Sequence, residues 1–277
     1  MKILLVTDAW PPQINGVANT LSYVTGLIRK EHDVIVLTPY VEGSETLPLR
    51  IHNIPIVTNA AILAERYLDE HSPDRVHIAT EGPLGLATRQ LCRKTGIAYS
   101  NCMVWGRGVD TGLFYPESGA KPHGEKTIIT VGRVSKDKNL DDFCRIRGYR
   151  KILVGGGPYL DTLRAKYPDV EFTGPVPHSE LRHMYAKADV FVFPSKLDTF
   201  GLVILEAMAC GLPVAAYDVP SPSDIVKHGV TGYLGDNLEE SVENAFGNLE
   251  DVSAGALKYA RTQSWESIAD QFINHLM

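Results

Sequence analysis

Long apolar runs are missing from this sequence, and none approaches the roughly 20 residues that a membrane-spanning helix requires. The amino-terminal MKILLV is apolar for too few residues before Thr7 and Asp8 to form the hydrophobic stretch of a secretory signal. Cysteine is scarce. Cys92, Cys102, Cys144 and Cys210 are scattered, lack the paired spacing of a zinc site, and sit in apolar or helical settings that suit reduced core thiols. Positive charge is not in excess: 27 basic against 33 acidic residues give −6, which argues against a nucleic-acid partner held mainly by phosphate attraction. No polybasic segment marks a membrane-surface site. The expectation is a cytoplasmic protein, with peripheral membrane contact left open.

What is present is the composition of an ordinary globular protein, 44% hydrophobic and 22% charged over 277 residues. At roughly 100 to 200 residues per domain, that length suits two domains. Short apolar runs alternate with helical patterns throughout: KILLV, then Val17, Leu21, Val24 and Ile28 at helical spacing, then VIVLT; later TIITV, KILVG, VEFTG and VFVF with helices between. Such alternation predicts α/β architecture with doubly wound parallel sheets, whose ligand crevices lie beyond the carboxyl ends of the strands. One familiar ligand is disfavoured. Gly155–Pro158, GGGP, is a close-approach turn after a strand, but the G-x-G-x-x-G spacing of a dinucleotide fingerprint is absent.

The chain is organised around residues 188–218. Val190–Phe193 reads as a buried strand ending at Pro194, Thr199–Cys210 as a helix, and Val214–Tyr217 as a second strand, with Gly211 and Pro213 as the helix stop. Glu206 sits in that helix among Ile204, Leu205, Ala207 and Met208, where a carboxylate is costly unless donors meet it. A ribose diol can supply two donors; a salt bridge or cap contact is the alternative. Asp198 lies on the turn that feeds the helix, as a ligand contact or as an ordinary cap. The free amides of Phe200, Gly201 and Leu202 at the helix start favour phosphate. Arg133 and Lys138 project from one loop after the TIITV strand, either toward a diphosphate or as a solvated basic loop. Gly16, at the start of the first helix, would let a phosphate approach the backbone, or serves as a simple turn glycine. His77, between Val76 and Ile78, reads as a packed strand histidine.

The run PSKLDTFGLVILEAMACGLPVAA resembles the donor-site signature of retaining glycosyltransferases of family 4, and TDAWPPQINGVANTL is similar to their first strand and glycine loop. The resemblance implies the GT-B fold, two Rossmann-like domains facing a cleft: an acceptor-side domain over 1–115, a donor domain over 116–260, and a terminal helix within 261–277 crossing back to the first. It makes Asp198 and Glu206 the acidic pair of the family, with aspartate where glutamate is commoner. It makes Arg133 and Lys138 the diphosphate pair, so that Arg133, Lys138, Asp198 and Glu206 form the catalytic set. Donor-binding positions carried over are Asn15, Gly16, Gly132, Gly155, Gly157, Gly174, Pro175, Thr199, Phe200, Gly201 and Leu202, with FTGPV reading the base.

The implied activity is transfer of a hexose, mannose or glucose, from a GDP- or UDP-sugar to a lipid or glycan hydroxyl, with no cofactor and no metal in the donor site. The partners would be a nucleoside diphosphate sugar and that acceptor, not nucleic acid. A nucleotide-sugar binding protein that has lost transfer is the alternative. It arises because GIAYS runs straight into NCMVWG at Ser100–Asn101, two strand-like pieces without the crossover that parallel neighbours need. The family carries a long segment with a histidine-containing loop there, so no catalytic histidine is assigned.

Overall fold

The computed structural model describes residues 1–13, 16–51, 54–101, 107–117, 124–198 and 201–276. Two compact units emerge, Met1–Gly106 with Trp265–Met277, and Arg107–Ser264. Each is a Rossmann-like α/β unit built on a parallel sheet.

The first unit runs β1 (Lys2–Val6), α1 (Gly16–Ile28), β2 (Asp33–Leu37), β3 (Thr46–Ile51), β4 (Ile54–Val57), α2 (Ala60–His71), β5 (Arg75–Ile78), α3 (Pro83–Thr95) and β6 (Tyr99–Asn101). Its parallel sheet has the order β2-β1-β5-β6, and β3 and β4 form a separate antiparallel pair. Ile3, Leu4, Leu5 and Val6 are all buried, as a strand covered on both faces requires. β6, Tyr99–Asn101, runs across the Ser100–Asn101 junction as one strand and pairs with β5 in parallel register; of the second strand-like piece, Asn101–Gly106, only Asn101 is described. Residues 102–106 lie outside the described residues.

Asp8, beyond β1, is buried and ties that strand to the start of α3. It accepts hydrogen bonds from the Thr80 hydroxyl at 3.0 Å and the Leu84 amide at 3.2 Å. Burial raises the pKa of its carboxyl, and the donors on α3 oppose the rise. Gly82 is required here, because a Cβ at that position would lie 2.4 Å from the Asp8 carboxylate. His77 is buried with Nδ1 2.8 Å from Ser100 Oγ and its ring edge-on to Phe272. Burial is the main cause that lowers its pKa to about 4.

The second unit runs β7 (Thr127–Val131), α4 (Leu140–Arg145), β8 (Arg150–Val154), α5 (Leu160–Lys166), β9 (Glu171–Gly174), α6 (Leu181–Tyr185), β10 (Val190–Phe193), α7 (Leu202–Ala209), β11 (Val214–Tyr217), α8 (Pro220–Ile225), β12 (Gly232–Gly235), α9 (Leu238–Gly247) and α10 (Leu249–Thr262). The sheet order is β12-β11-β10-β7-β8-β9, parallel throughout. Residues 107–114, assigned to the first domain from the sequence, belong to this unit: Val109 N–H donates to Gln263 O at 2.8 Å, and Phe114 is buried in the core that holds Tyr185 and Phe191. The last helix, α11 (Trp265–Leu276), returns to the first unit, where Trp265, Ile268, Phe272 and Leu276 bury against β1 and α1. Trp10 packs against this same core.

The loops after β7 and β8 are pressed together backbone to backbone. Gly132 N–H donates to Val154 O, and Val134 N–H to Gly156 O, at 3.0 and 2.9 Å. At φ +142°, Gly155 has no room for a side chain, since a Cβ would stand 1.9 Å from Gly132 O. Gly155→Ala is therefore expected to destabilise the second unit by about 3 kcal/mol or more. Urea denaturation checks this; a midpoint equal to that of the unsubstituted protein would refute it.

Candidate functional site

All the described site residues except Gly16 belong to the second unit, and most stand beyond the carboxyl ends of its strands. Gly16 opens α1 in the first unit. Asn15, Thr199 and Phe200 lie outside the described residues, as does Cys102. The other cysteines, Cys92, Cys144 and Cys210, are buried and free.

After β7 the chain makes a single 3-10 turn, Lys136–Lys138, which lifts Lys138 toward the loop that follows β10. Lys138 Nζ donates to Asp198 Oδ2 at 2.5 Å, and each side chain is about a quarter exposed. These two predicted residues thus form one pair, and the N-cap position of α7 is held by Gly201, not Asp198. Arg133 is in a different setting, 67% exposed with Nη2 3.4 Å from Asp137 Oδ2.

The central helix begins later than its composition predicts, at Leu202 instead of Thr199. Gly201 is the reason: it holds φ +56°, a left-handed residue that ends the preceding loop, and among the described residues no side chain caps the helix behind it. The amide of Leu202 therefore opens an uncapped helix. Near it, the Ser221 hydroxyl is buried without a hydrogen-bond partner among the described residues, and a Cβ on Gly201 would lie 3.4 Å from Ser221 Oγ. Gly174 ends β9 at φ +77°, and Pro175 follows it against Gly156.

Glu206, on the second turn of α7, is buried and meets donors on both oxygens. Tyr185 donates its hydroxyl to Oε2 at 3.1 Å, and His178 Nε2 lies 3.0 Å from Oε1. Tyr185 is fully buried, and desolvation together with the adjacent carboxylate pushes its pKa well above the ordinary phenol value. The hydrogen bond to Glu206 raises the pKa of His178, against an opposing burial effect, and the charges of Glu206 and Asp110 add to the rise. Phe114 supports both rings edge-on, at 5.1 Å from His178 and 6.1 Å from Tyr185.

This geometry can take a phosphate-bearing ligand with a diol: a cation paired to a carboxylate, an uncapped helix start, and a buried carboxylate one turn further on. The pattern described as "Glycosyl transferases group 1" matches residues 114–250. A GDP-mannose-dependent alpha-(1-6)-phosphatidylinositol monomannoside mannosyltransferase of Mycobacterium tuberculosis is 34% identical, covering 85% of each chain. The chain belongs to the group 1 glycosyl transferases. A GDP-mannose-dependent alpha-mannosyltransferase of Corynebacterium glutamicum is 25% identical over 99% of this chain and 88% of its own. That alignment extends over 365 positions, more than the 277 residues present here, so the relative has positions without a counterpart in this shortened chain. Among solved structures, the lipopolysaccharide outer core galactosyltransferase WaaB in its apo form superposes with a TM-score of 0.72 at 15% identity, over 99% of this chain and 98% of that one. The fold of this glycosyltransferase is thus GT-B.

Two residues of the site escaped the sequence reading. Tyr185 falls with Leu181 and Met184 on the apolar face of α6, where it reads as core; a buried phenol nevertheless needs an acceptor, and Glu206 is that acceptor. His178 lies in the short connection after β9 and has no periodic signal.

Proposed function

We propose that this glycosyltransferase moves mannose from GDP-mannose to a hydroxyl of a lipid or glycan, with the configuration at the sugar carbon retained. The observation that carries the reading is Glu206, a carboxylate set in an apolar helix one turn from its start, with Oε1 met only by the exposed side chain of His178 among the described residues. Support for the donor comes from the names of the two relatives, both GDP-mannose-dependent.

In this reading Glu206 accepts the ribose hydroxyls and Asp198 a hydroxyl of the sugar. The Leu202 amide, Lys138 and Arg133 face the diphosphate, and charge that grows on it as the sugar departs is met by donors already in place. Arg133, 67% exposed and paired only with Asp137 among the described residues, can turn over the ligand, and the Ser221 hydroxyl beside Gly201, without a partner among the described residues, supports an anion at the same point. The protein's own cations supply the charge, so the donor site works without a metal or cofactor. Gly174 and Pro175 offer backbone to the base. Among the described residues no helix is long and apolar enough to cross a membrane. A lipid acceptor would be met at a membrane surface.

The test is transfer from GDP-mannose, GDP-glucose and UDP-glucose to phosphoinositide and oligomannoside acceptors, with the anomeric configuration of the product read by NMR. Preferential use of GDP-mannose and an α-linked product are expected. Product formed only from UDP-glucose would replace the donor, and a β-linked product would refute retention.

A further inference from the structure

The two oxygens of Glu206 are not equally open. Oε2 accepts from Tyr185, which has no exposed surface, whereas Oε1 faces His178, whose side chain is 61% exposed against 11% for that of Glu206. Solvent, and any ligand, therefore reaches the carboxylate along the edge that the imidazole covers. A vicinal diol that donates to both oxygens can share Oε2 with the buried phenol, since a carboxylate oxygen accepts more than one bond, but at Oε1 it meets the imidazole in the outward position.

We propose that His178 is a displaceable gate on Glu206: it occupies Oε1 while the donor site is empty and swings away when the ribose diol binds, so that protonation of His178 opposes donor binding. This inference rests on the donor-site reading given above. The side chain is built for such movement. It is mostly exposed although its partner is buried, and the imidazole rests against Phe114 without being enclosed. Tyr185, by contrast, is fixed in the core and keeps the carboxylate oriented in both states. His178 is thus a positioning residue, acting through Glu206.

The titratable groups that face the gate are Glu206 from α7, Tyr185 of α6 behind it, and Asp110 from the segment before β7. Asp110 is held in place by the amides of Gly112 and Leu113, at 2.9 and 3.0 Å. The hydrogen bond to Glu206 and the two carboxylate charges raise the imidazole pKa, so the proton binds the closed gate more tightly than an open one. The closed pair is at full strength below the ordinary histidine pKa and is lost as pH rises through the raised value. Donor affinity runs in the opposite sense, lowest in acid.

Calorimetric titration with GDP near pH 6 and near pH 8 tests the gate on the wild type, His178→Ala and Glu206→Gln. His178→Ala should bind GDP roughly 3- to 10-fold more tightly than the wild type near pH 6 and about equally near pH 8. The terminal phosphate of GDP titrates in the same range in both proteins and cancels in that ratio. NMR titration of the His178 imidazole supplies a readout that a purely structural pair would not move: its pKa should fall toward the ordinary value when GDP saturates the site. An affinity near pH 6 that His178→Ala leaves unchanged or lowers overturns the gate, as does an imidazole pKa that GDP leaves raised. If the wild type takes up none of GDP, UDP and ADP, the donor site falls and the gate with it. GDP binding lost in Glu206→Gln but indifferent to His178→Ala removes the gate alone.

Discussion

Glu206→Gln is expected to leave the fold standing and to weaken GDP binding on the order of 100-fold. A carboxylate accepts two hydroxyls through charge-assisted bonds worth about 1.5–3 kcal/mol each, whereas an amide offers a single oxygen. Losing one such bond and the charge behind the other amounts to roughly 2–4 kcal/mol, or about 30- to 1000-fold in affinity. The choice of glutamine matters because Glu206 also accepts from the buried Tyr185 hydroxyl. Alanine would leave that phenol without a partner, at a cost of about 1–3 kcal/mol to the core, and would mix a loss of stability with a loss of binding. Glutamine keeps the volume and one acceptor. Calorimetry at neutral pH reads the affinity and thermal melting reads the fold. Affinity within threefold of the wild type would show that Glu206 is only the partner of Tyr185 and His178, and the donor assignment would fail.

The second large effect is expected in turnover. Lys138→Met should lower kcat by about 10²–10³, the scale on which removing one preorganised donor to a developing anion acts. The Lys138–Asp198 pair makes the prediction specific. At 2.5 Å, and with both side chains mostly covered, each charge is the other's partner in the empty site. If the pair were merely structural, Lys138→Met would lower the melting temperature through the stranded Asp198 carboxylate while the folded fraction kept its kcat, and Lys138→Met with Asp198→Asn would restore stability. If Lys138 acts on the departing diphosphate, the double substitution restores stability and turnover stays low. Steady-state rates with saturating GDP-mannose, set beside melting curves for the same proteins, separate the two outcomes.

Much of this was legible in the chain because the signals are periodic. The run Val190–Phe193 can only be a strand buried on both faces, and an acidic residue inside LVILEAMA needs donors wherever it stands. The start of α7 was not legible, because the left-handed Gly201 that sets it lies inside a segment of good helix composition. Nor was the Lys138–Asp198 pair, which joins residues from separate loops brought together only because β7 and β10 are neighbours in the sheet. His178 was silent for a related reason: one side chain on a short connection acquires meaning only from the carboxylate it meets. The hairpin β3–β4 and helix α2 left no expectation: Pro48 and Pro55 argue against strands, whereas Ala60, Leu63, Ala64 and Leu68 of α2 do recur at helical spacing.

The pairing of Val109 with Gln263 and Ser264 brings the ends of the second unit side by side, while α11 supplies the outer cover of β1 and α1. Topologically the second unit is a loop spliced into the first. On a ribosome, residues 107–264 are therefore complete in themselves before residues 265–277 emerge, and the strand that begins the sequence must wait, half covered, for the helix that closes it.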